Sequence, residues 1–256
     1  MRGGPANRRN LLPRSSQGLT FPFTLYAPGG NATSPQWFPT GDLTAEMRIY
    51  VEDYGNPPGQ TYSDIAIFQI LILANQGNGA YSWALALKNR RLMFRCYSTG
   101  QEHFANGPEI PTKTLLHVAA AEHWNEATQN HESELFVNGV SRGTMEFTQR
   151  IPPTRVMSVG NVDSARGYGP FYGAADSMRL WGYRRTNQEL ADNWRYRNGD
   201  VPGITPANMV AMYEFEEVPL ANTATIIADG SGNGRYMTSS TNTWEGSTSV
   251  TMPQVL

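Results

Sequence analysis

Pairs of glutamates at alternate positions are the residues of this sequence best suited to acid–base chemistry. Glu132 and Glu134, beside His131, form one pair, and Glu214 and Glu216 form another. Residues two apart in a strand project to the same face, where two carboxyl groups can act as nucleophile and acid in glycoside hydrolysis. Alternating glutamates are also common on the solvent side of antiparallel strands. We therefore predict no catalytic residues and a non-enzymatic protein, and keep a glycoside hydrolase as the least favoured function.

Other reactive side chains lack the neighbours that catalysis or metal binding requires. The four histidines do not have the spacing of a zinc site, and the sequence contains no Gly-x-Ser-x-Gly nucleophile motif. Cys96, the only cysteine, lies in an apolar segment, which predicts a buried inert thiol and excludes an intrachain disulfide. We therefore expect neither a metal nor a cofactor.

The composition favours an all-β protein. Only 16% of the 256 residues are charged, and 25 Gly and 17 Pro are scattered along the chain, which predicts many turns. A hydrophobic fraction of 39% with a net charge of −2 excludes intrinsic disorder. No apolar run approaches the roughly 18 residues of a membrane span; the best, Ile65 to Ala74, is interrupted by Gln69.

Alternating apolar and polar residues predict most of the strands. In Thr44 to Tyr54, for example, Ala45 and Met47 face one way and Glu46 and Arg48 the other, so we expect a half-buried strand with a solvent-facing polar side. We interpret Trp124 to Ser133 as a polar connection. The predicted strands are Leu19–Tyr26, Thr44–Tyr54, Ile65–Ala74, Tyr81–Leu87, Arg91–Tyr97, Leu115–Glu122, Glu134–Val137, Val140–Phe147, Arg155–Gly160, Ala174–Tyr183 and Met209–Phe215.

Local signals predict one hairpin and one helix. Asn138-Gly139 lies between two strand segments, and both residues readily adopt the positive φ that a tight hairpin turn requires. Thr186 to Arg197 is predicted to be helical, because Thr186 and Glu189 have the spacing of a capping box.

Three pieces of this pattern resemble the concanavalin A-like lectin/glucanase superfamily in its laminin-G-like form. Leu116-His-Val-Ala119 with Leu135-Phe-Val-Asn-Gly139 is similar to its paired strands with a hairpin. Phe171 to Trp181, followed by Asn187 to Leu190, resembles its strand-and-helix segment. Met209 to Phe215 with Asp229-Gly-Ser-Gly-Asn-Gly234 resembles a third segment, which normally opens such domains.

The resemblance, over roughly residues 19 to 245, implies a two-sheet antiparallel jelly-roll sandwich with one short helix. We expect residues 1–18 to form a basic N-terminal arm and residues 19–256 to form one sandwich. Within it, residues 205–256 supply a closing strand and tail, with the strand pairing beside the first strand; the start of a truncated second repeat is the alternative. Neither glutamate pair matches the carboxylate motif of the superfamily's glycanases. Calcium, which some laminin-G-like domains bind, is the alternative to the absence of metal, with the candidate ligands Asp163, Asp176 and Asp229.

Glycan binding is predicted on polar loops that carry aromatic residues. Sugars stack on aromatic rings, and Asn, Asp and Arg side chains bind their hydroxyl groups. The simpler interpretation is that the aromatic residues only anchor the loop between residues 161 and 172 onto the sandwich. The candidate ligand-binding residues are Asn161, Asp163, Arg166, Tyr168 and Tyr172 on this loop and Trp124 on another.

The N-terminal segment predicts a partner. Met1 to Ser16 carries four arginines and no acidic residue, and it lacks the apolar region of a secretion signal. We therefore favour a bacteriophage capsid decoration or fibre protein, located in the virion. Its arm would dock on a capsid or other virion protein, and its sandwich could bind host-surface glycans. We expect a homo-oligomer and no nucleic-acid partner. The alternative is a soluble, extracellular lectin. The docking residues are Arg2, Arg8, Arg9 and Arg14.

Overall fold

Sixteen strands and one helix form the part of the chain that the structure, a computed structural model, describes. It describes residues 17–21, 25–27, 41–54, 68–77, 80–98, 101–148, 157–159, 173–196, 208–215, 226–239 and 249–251. The elements are β1 Gln17–Phe21, β2 Leu25–Ala27, β3 Leu43–Val51, β4 Phe68–Gly77, β5 Ala80–Lys88, β6 Arg91–Ser98, β7 Gln101–Glu109, β8 Leu115–Asn125, β9 Asn130–Val137, β10 Val140–Phe147, β11 Met157–Val159, β12 Gly173–Trp181, α1 Asn187–Asn193, β13 Met209–Tyr213, β14 Ile226–Ile227, β15 Met237–Ser239 and β16 Ser249–Thr251.

The strands form two antiparallel sheets of eight strands each. One, the front sheet, has the order β10-β9-β8-β3-β12-β1-β16, and β13 also pairs with β12. The other, the back sheet, has the order β14-β15-β2-β11-β4-β5-β6-β7. The predicted antiparallel two-sheet sandwich with one short helix is therefore confirmed.

The core lies between the two sheets and is built from the inward-facing half of each strand. Met47 and Ile49 of β3 are buried in one cluster with Trp83 of β5 and Phe94 of β6. Trp83 and Phe94 are tilted against each other with ring centroids 6.1 Å apart. Cys96 is fully buried in the same cluster, as predicted.

The N-terminal strand prediction is wrong in one respect. Leu19 to Tyr26 is not one strand, because β1 pairs with β12 in the front sheet while β2 pairs with β11 and β15 in the back sheet. The sequence places Pro22 between them, and proline lacks the N–H group that a sheet interior requires. The chain thus contributes one short strand to each sheet.

Strand β13, predicted to pair beside the first strand, has a different partner in the front sheet, and the strand of residues 205–256 that pairs with β1 is β16. β13 pairs with Met178 to Trp181 of β12, whereas β1 pairs with Gly173 to Ala175 of the same strand. Both strands therefore share successive parts of β12, and β13 does not pair beside β1.

The helix is shorter than predicted but begins as expected. Thr186 is the N-cap, and the capping box with Glu189 is complete on both sides. Helix α1 ends at Asn193, with Trp194 as its C-cap. Leu190 of α1 packs on Phe136, Ala119 and Ala121, so the helix covers part of the outer face of the front sheet. No helix in the described residues is long and apolar enough to span a membrane.

Candidate functional site

A buried polar cluster occupies the outer face of the front sheet, where the sequence predicted a solvent-facing polar side. Glu46 of β3 is 1% exposed, and Arg48 is also buried. Glu46 accepts hydrogen bonds at both carboxylate oxygens from residues of three other segments. The donors are Arg179 Nη2 at 2.7 Å, His117 Nε2 at 2.8 Å, Trp181 Nε1 at 2.6 Å and Arg185 Nη1 at 2.8 Å.

Charge pairing decides the ionisation of this cluster. Burial by itself would raise the pKa of Glu46, but Arg179, His117 and Arg185 together outweigh it and hold the pKa well below its ordinary value. Burial lowers the pKa of His117, so that this ring is neutral and donates one N–H to Glu46. The cluster therefore contains one carboxylate between two guanidinium groups and a neutral imidazole.

The cluster fixes the segment that follows β12 onto the sheet. Arg185 lies over the Trp181 ring at 4.6 Å, in addition to its contact with Glu46. Thr44 Oγ1 donates to the carbonyl of Tyr183 at 3.0 Å and accepts from the backbone N–H of Arg185 at 2.8 Å. Arg184 is thereby held between two anchored residues.

Arg184 reaches an open groove between β9, β10 and the start of α1. Its Nη2 donates to Glu134 Oε2 at 2.7 Å, and Asn187 Nδ2 donates to Glu134 Oε1 at 3.2 Å. The groove has a volume of about 450 Å³. It is lined by Glu132, Ser133, Glu134, Thr144, Met145, Glu146 and Arg184.

Strand register shows which side chains face this groove. Leu135 of β9 lies in the main core, whereas Phe136 packs under α1, so Glu132 and Glu134 face outward. Thr144 pairs with Glu134, and Glu146 pairs with Glu132, which places all four on the same outer face. The two glutamates that the sequence identified are therefore brought together, next to a third carboxylate.

One guanidinium atom in the groove is unsatisfied. Arg184 Nε is buried and has no hydrogen-bond partner among the described residues. One carboxylate oxygen of Glu132 already has a hydrogen-bond partner, because Asn125 Nδ2 donates to its Oε1. The groove therefore combines carboxylate acceptors, a hydroxyl group and a partly exposed guanidinium group.

Trp124 lies on the opposite, inward side of this end of the sandwich. It belongs to β8, not to a loop, and its ring meets His131 edge-on at 5.0 Å. His131 in turn stacks on Phe147 at 5.1 Å, and its Nδ1 lies 3.0 Å from Oε1 of the fully buried Glu122. The predicted polar connection is therefore mostly strand, since Trp124 and Asn125 belong to β8 and Asn130 to Ser133 belong to β9. Sugar binding by Trp124 stays a prediction.

The remaining predicted ligand residues lie outside the described residues. These are Asn161, Asp163, Arg166, Tyr168 and Tyr172, together with the arginines Arg2, Arg8, Arg9 and Arg14 of the arm. The described chain resumes at Gly173, which pairs with Val51, whereas the end of β8 lies beside the start of β3. Trp124 and the residue after Tyr172 are therefore at opposite ends of the front sheet.

Asp229 does not present a calcium site. Its Oδ1 accepts from the backbone N–H groups of Met212 at 3.0 Å and Ser231 at 2.9 Å, and its Oδ2 accepts from Arg235 N at 3.0 Å. Both oxygens thus hold the turn against β13. The described residues contain no group of three acidic, histidine or cysteine side chains suited to a metal ion. Asp163, the Asp176 side chain and Glu216 lie outside the described residues.

Among the seven residues that line the groove, sequence reasoning singled out only Glu132 and Glu134. Thr144 and Glu146 could have been identified from the sequence, because the hairpin at Asn138-Gly139 fixes which residues of β10 lie opposite those of β9. Arg184 had no such signal, since its place depends on the distant contacts of Tyr183 and Arg185 with Thr44.

A family model described as the concanavalin A-like lectin/glucanases superfamily matches residues 23–191. The chain belongs to this superfamily. The match includes the hairpin, β12 and most of α1, and so confirms the resemblance that these segments predicted. No curated protein matches the sequence.

Several solved structures are similar to this chain. A candidate carbohydrate-binding protein from Bacteroides ovatus is 17% identical with a TM-score of 0.61, and the match covers 93% of this chain. The chain spans only 60% of the length of that protein. The CBM40 module of the Ruminococcus gnavus IT-sialidase, also solved with α2,6-sialyllactose, is 14% identical with a TM-score of 0.47, covering 69% of this chain and 95% of the module. The first similarity supports the fold alone.

Proposed function

We propose that this protein is a non-catalytic carbohydrate-binding domain and that the groove at Glu132, Glu134, Thr144, Glu146 and Arg184 is its glycan site. Family membership makes a lectin-type function reasonable, but a fold alone does not carry it. The observation that carries the proposal is the partly exposed ion pair of Arg184 and Glu134, which lines a groove of about 450 Å³ together with Glu132 and Glu146.

The chemistry of the groove suits sugar hydroxyl groups. A hydroxyl both donates and accepts hydrogen bonds, so it can donate to a carboxylate such as Glu146 while it accepts from the exposed part of the Arg184 guanidinium group. Thr144 adds a hydroxyl to the lining of the groove. The volume falls within the range of about 300 to 1,000 Å³ that is typical of small-ligand sites.

The same contacts support binding without hydrolysis. A glycosidase needs one carboxyl group kept protonated to act as an acid, usually by apolar surroundings. Glu134 is instead paired with Arg184 at 2.7 Å, and Glu132 accepts a hydrogen bond from Asn125. Both carboxylates are thus already engaged in contacts within the protein. We therefore assign neither glutamate a catalytic role.

The virion role stays a prediction without support in the described part of the chain. It depends on the basic arm, of which only Gln17 and Gly18 are described, as the start of β1. The capsid partner, the homo-oligomer and the virion location likewise stay predictions.

A glycan array with the purified chain tests the proposal, followed by titration of the strongest ligand. Thr144→Val removes a hydroxyl group from the groove, and we expect it to weaken binding by about fivefold to tenfold. Thr114→Val, on the exposed turn before β8, is the matched control and should bind as the wild type does. Absence of binding across the array would refute the function.

A further inference from the structure

We propose that the groove selects neutral glycans and rejects anionic ones, such as those that carry sialic or uronic acids. This inference rests on the proposed function and concerns the charge of the ligand. It follows from which charges in the groove are paired and which are left to face a ligand.

The groove has an excess of negative charge. Three of its lining side chains are glutamates and one is an arginine. Arg184 makes a direct ion pair with Glu134 at 2.7 Å, and the two side chains are 30% and 12% exposed. This pair offers a ligand both donors and acceptors but little net charge, so that Glu132 and Glu146 determine the net charge of the site.

Glu132 and Glu146 lie directly opposite each other on β9 and β10. Directly paired residues of an antiparallel sheet have Cβ atoms about 5 Å apart, and like charges at such positions repel each other. Glu132 is supported by the amide of Asn125 and by His123, whose Nε2 lies 3.6 Å away. Glu146 is exposed on the outer face of β10. A ligand in the groove therefore meets two neighbouring carboxylates.

A ligand carboxylate in this position would be a third negative charge. Like charges brought together at a binding surface reduce affinity strongly, and charges at a partly buried site are screened less by salt than exposed ones. Hydroxyl groups, by contrast, donate to carboxylates without any charge penalty. Neutral sugars therefore gain hydrogen bonds where acidic sugars meet repulsion.

The test uses matched glycans that differ by one acidic sugar, for example lactose and α2,6-sialyllactose, within an array that contains other such pairs. Measurements at about pH 8 keep histidines out of the charge balance. For every neutral glycan that binds, we expect the acidic counterpart to bind at least about tenfold more weakly at low salt. Added sodium chloride should narrow this difference.

Variants of the groove distinguish repulsion of the acidic sugar by charge from its exclusion by size. Glu146→Gln keeps an acceptor oxygen of the same shape and removes the charge, so the ratio of the neutral glycan's affinity to that of its acidic counterpart should fall severalfold, even where neutral binding itself weakens. Glu132→Gln provides a second, independent removal of charge. The control is Glu109→Gln, which removes an exposed charge at the far end of β7. At this end, Glu109 lies opposite Arg91 of β6 in the strand register. This control variant should bind neutral and acidic glycans with the same affinity ratio as the wild type.

Three results would overturn the inference. Equal or tighter binding of acidic glycans by the wild type would contradict it directly. Discrimination that persists unchanged in both Glu146→Gln and Glu132→Gln would show that size, not charge, excludes the acidic sugars. If no glycan binds at all, the proposed function itself fails, which is distinguishable from binding without charge selection.

Discussion

Arg179 donates to Glu46 at 2.7 Å although 133 residues separate them in sequence. The contact joins neighbouring strands β3 and β12 on the outer face of the front sheet, beneath residues 183 to 185. Burial of both side chains makes the pair sensitive to the loss of either partner, because the remaining charge would be buried without compensation.

Removal of the Glu46 charge is therefore predicted to destabilise the fold strongly. Glu46→Gln leaves Arg179 and Arg185 buried without the carboxylate that they both contact directly, and we expect a loss of about 3 to 5 kcal/mol in the free energy of unfolding. Urea denaturation followed by tryptophan fluorescence measures it. The control is Glu52→Gln, whose pair with Lys113 is exposed and 3.8 Å long; it should change stability by less than about 1 kcal/mol. Similar effects of the two variants would contradict the account.

Stability is predicted to fall as the pH is lowered, in two stages. The pKa of His117 is below its ordinary value of 6.5, so as the pH falls through that value the unfolded chain gains a proton that the folded chain does not bind. The pKa of Glu46 is also lowered, so its stabilisation is complete above its ordinary pKa of 4.5 and is lost as the pH falls below that value.

His117→Asn isolates the first stage. Denaturation midpoints measured from about pH 8 to about pH 5 should fall less steeply for this variant than for the wild type. The control is His103→Asn, which changes a histidine outside the cluster. In this variant, the part of the pH dependence that is due to His117 should be the same as in the wild type. Identical slopes for His117→Asn and the wild type would show that His117 is not held neutral.

The hairpin turn is predicted to depend on glycine for two reasons. Gly139 has φ +73°, and a Cβ atom there would lie 2.6 Å from Trp194 Cδ1 and 2.8 Å from the Leu190 carbonyl oxygen. Gly139→Ala should therefore cost more than about 2 kcal/mol, since it strains the backbone and displaces the end of α1. Gly232→Ala, at φ +83° with open space around it, should cost only about 1 kcal/mol. Equal costs would show that contact with the helix is unimportant.

Asp229 is predicted to stabilise its turn and not to bind calcium. Because three backbone N–H groups occupy its carboxylate, Asp229→Ala should lower stability by about 2 kcal/mol, whereas Asp192→Ala on the exposed side of α1 should cost less than about 1 kcal/mol. Thermal unfolding of the wild type should be the same in calcium and in a chelator. A calcium-dependent rise in Tm that Asp229→Ala abolishes would contradict this assignment.

Local patterns predicted the elements whose signals lie within a few residues. The Asn138-Gly139 hairpin, strand β10 and the capping box of α1 each depend on neighbouring positions, and all are present. β7 was missed because its sequence, QEHFANGPE, is polar and contains Gly107 and Pro108. A Cβ atom at Gly107 would make tight contacts, 3.1 Å from the Leu92 carbonyl oxygen and 3.3 Å from Leu135 Cδ1.

The alternation of apolar and polar residues along a strand could not predict which other residues cover its polar face. The pattern in β3 correctly separates Met47 from Glu46, but it does not show that Arg179 and Arg185 would bury Glu46. The same limit explains the candidate site. Glu132 and Glu134 were identifiable as a pair, whereas their meeting with Arg184 depends on contacts between residues far apart in sequence.

The most direct test of the glycan-binding proposal is to map the bound sugar by amide chemical shifts in an NMR titration. We predict that a ligand found on the array perturbs the amides of residues 132–134, 144–146 and 184, and that Thr144→Val weakens these perturbations while Thr114→Val does not. Perturbations confined to other residues, such as the segment 161–172, would contradict the assignment of the groove as the glycan site.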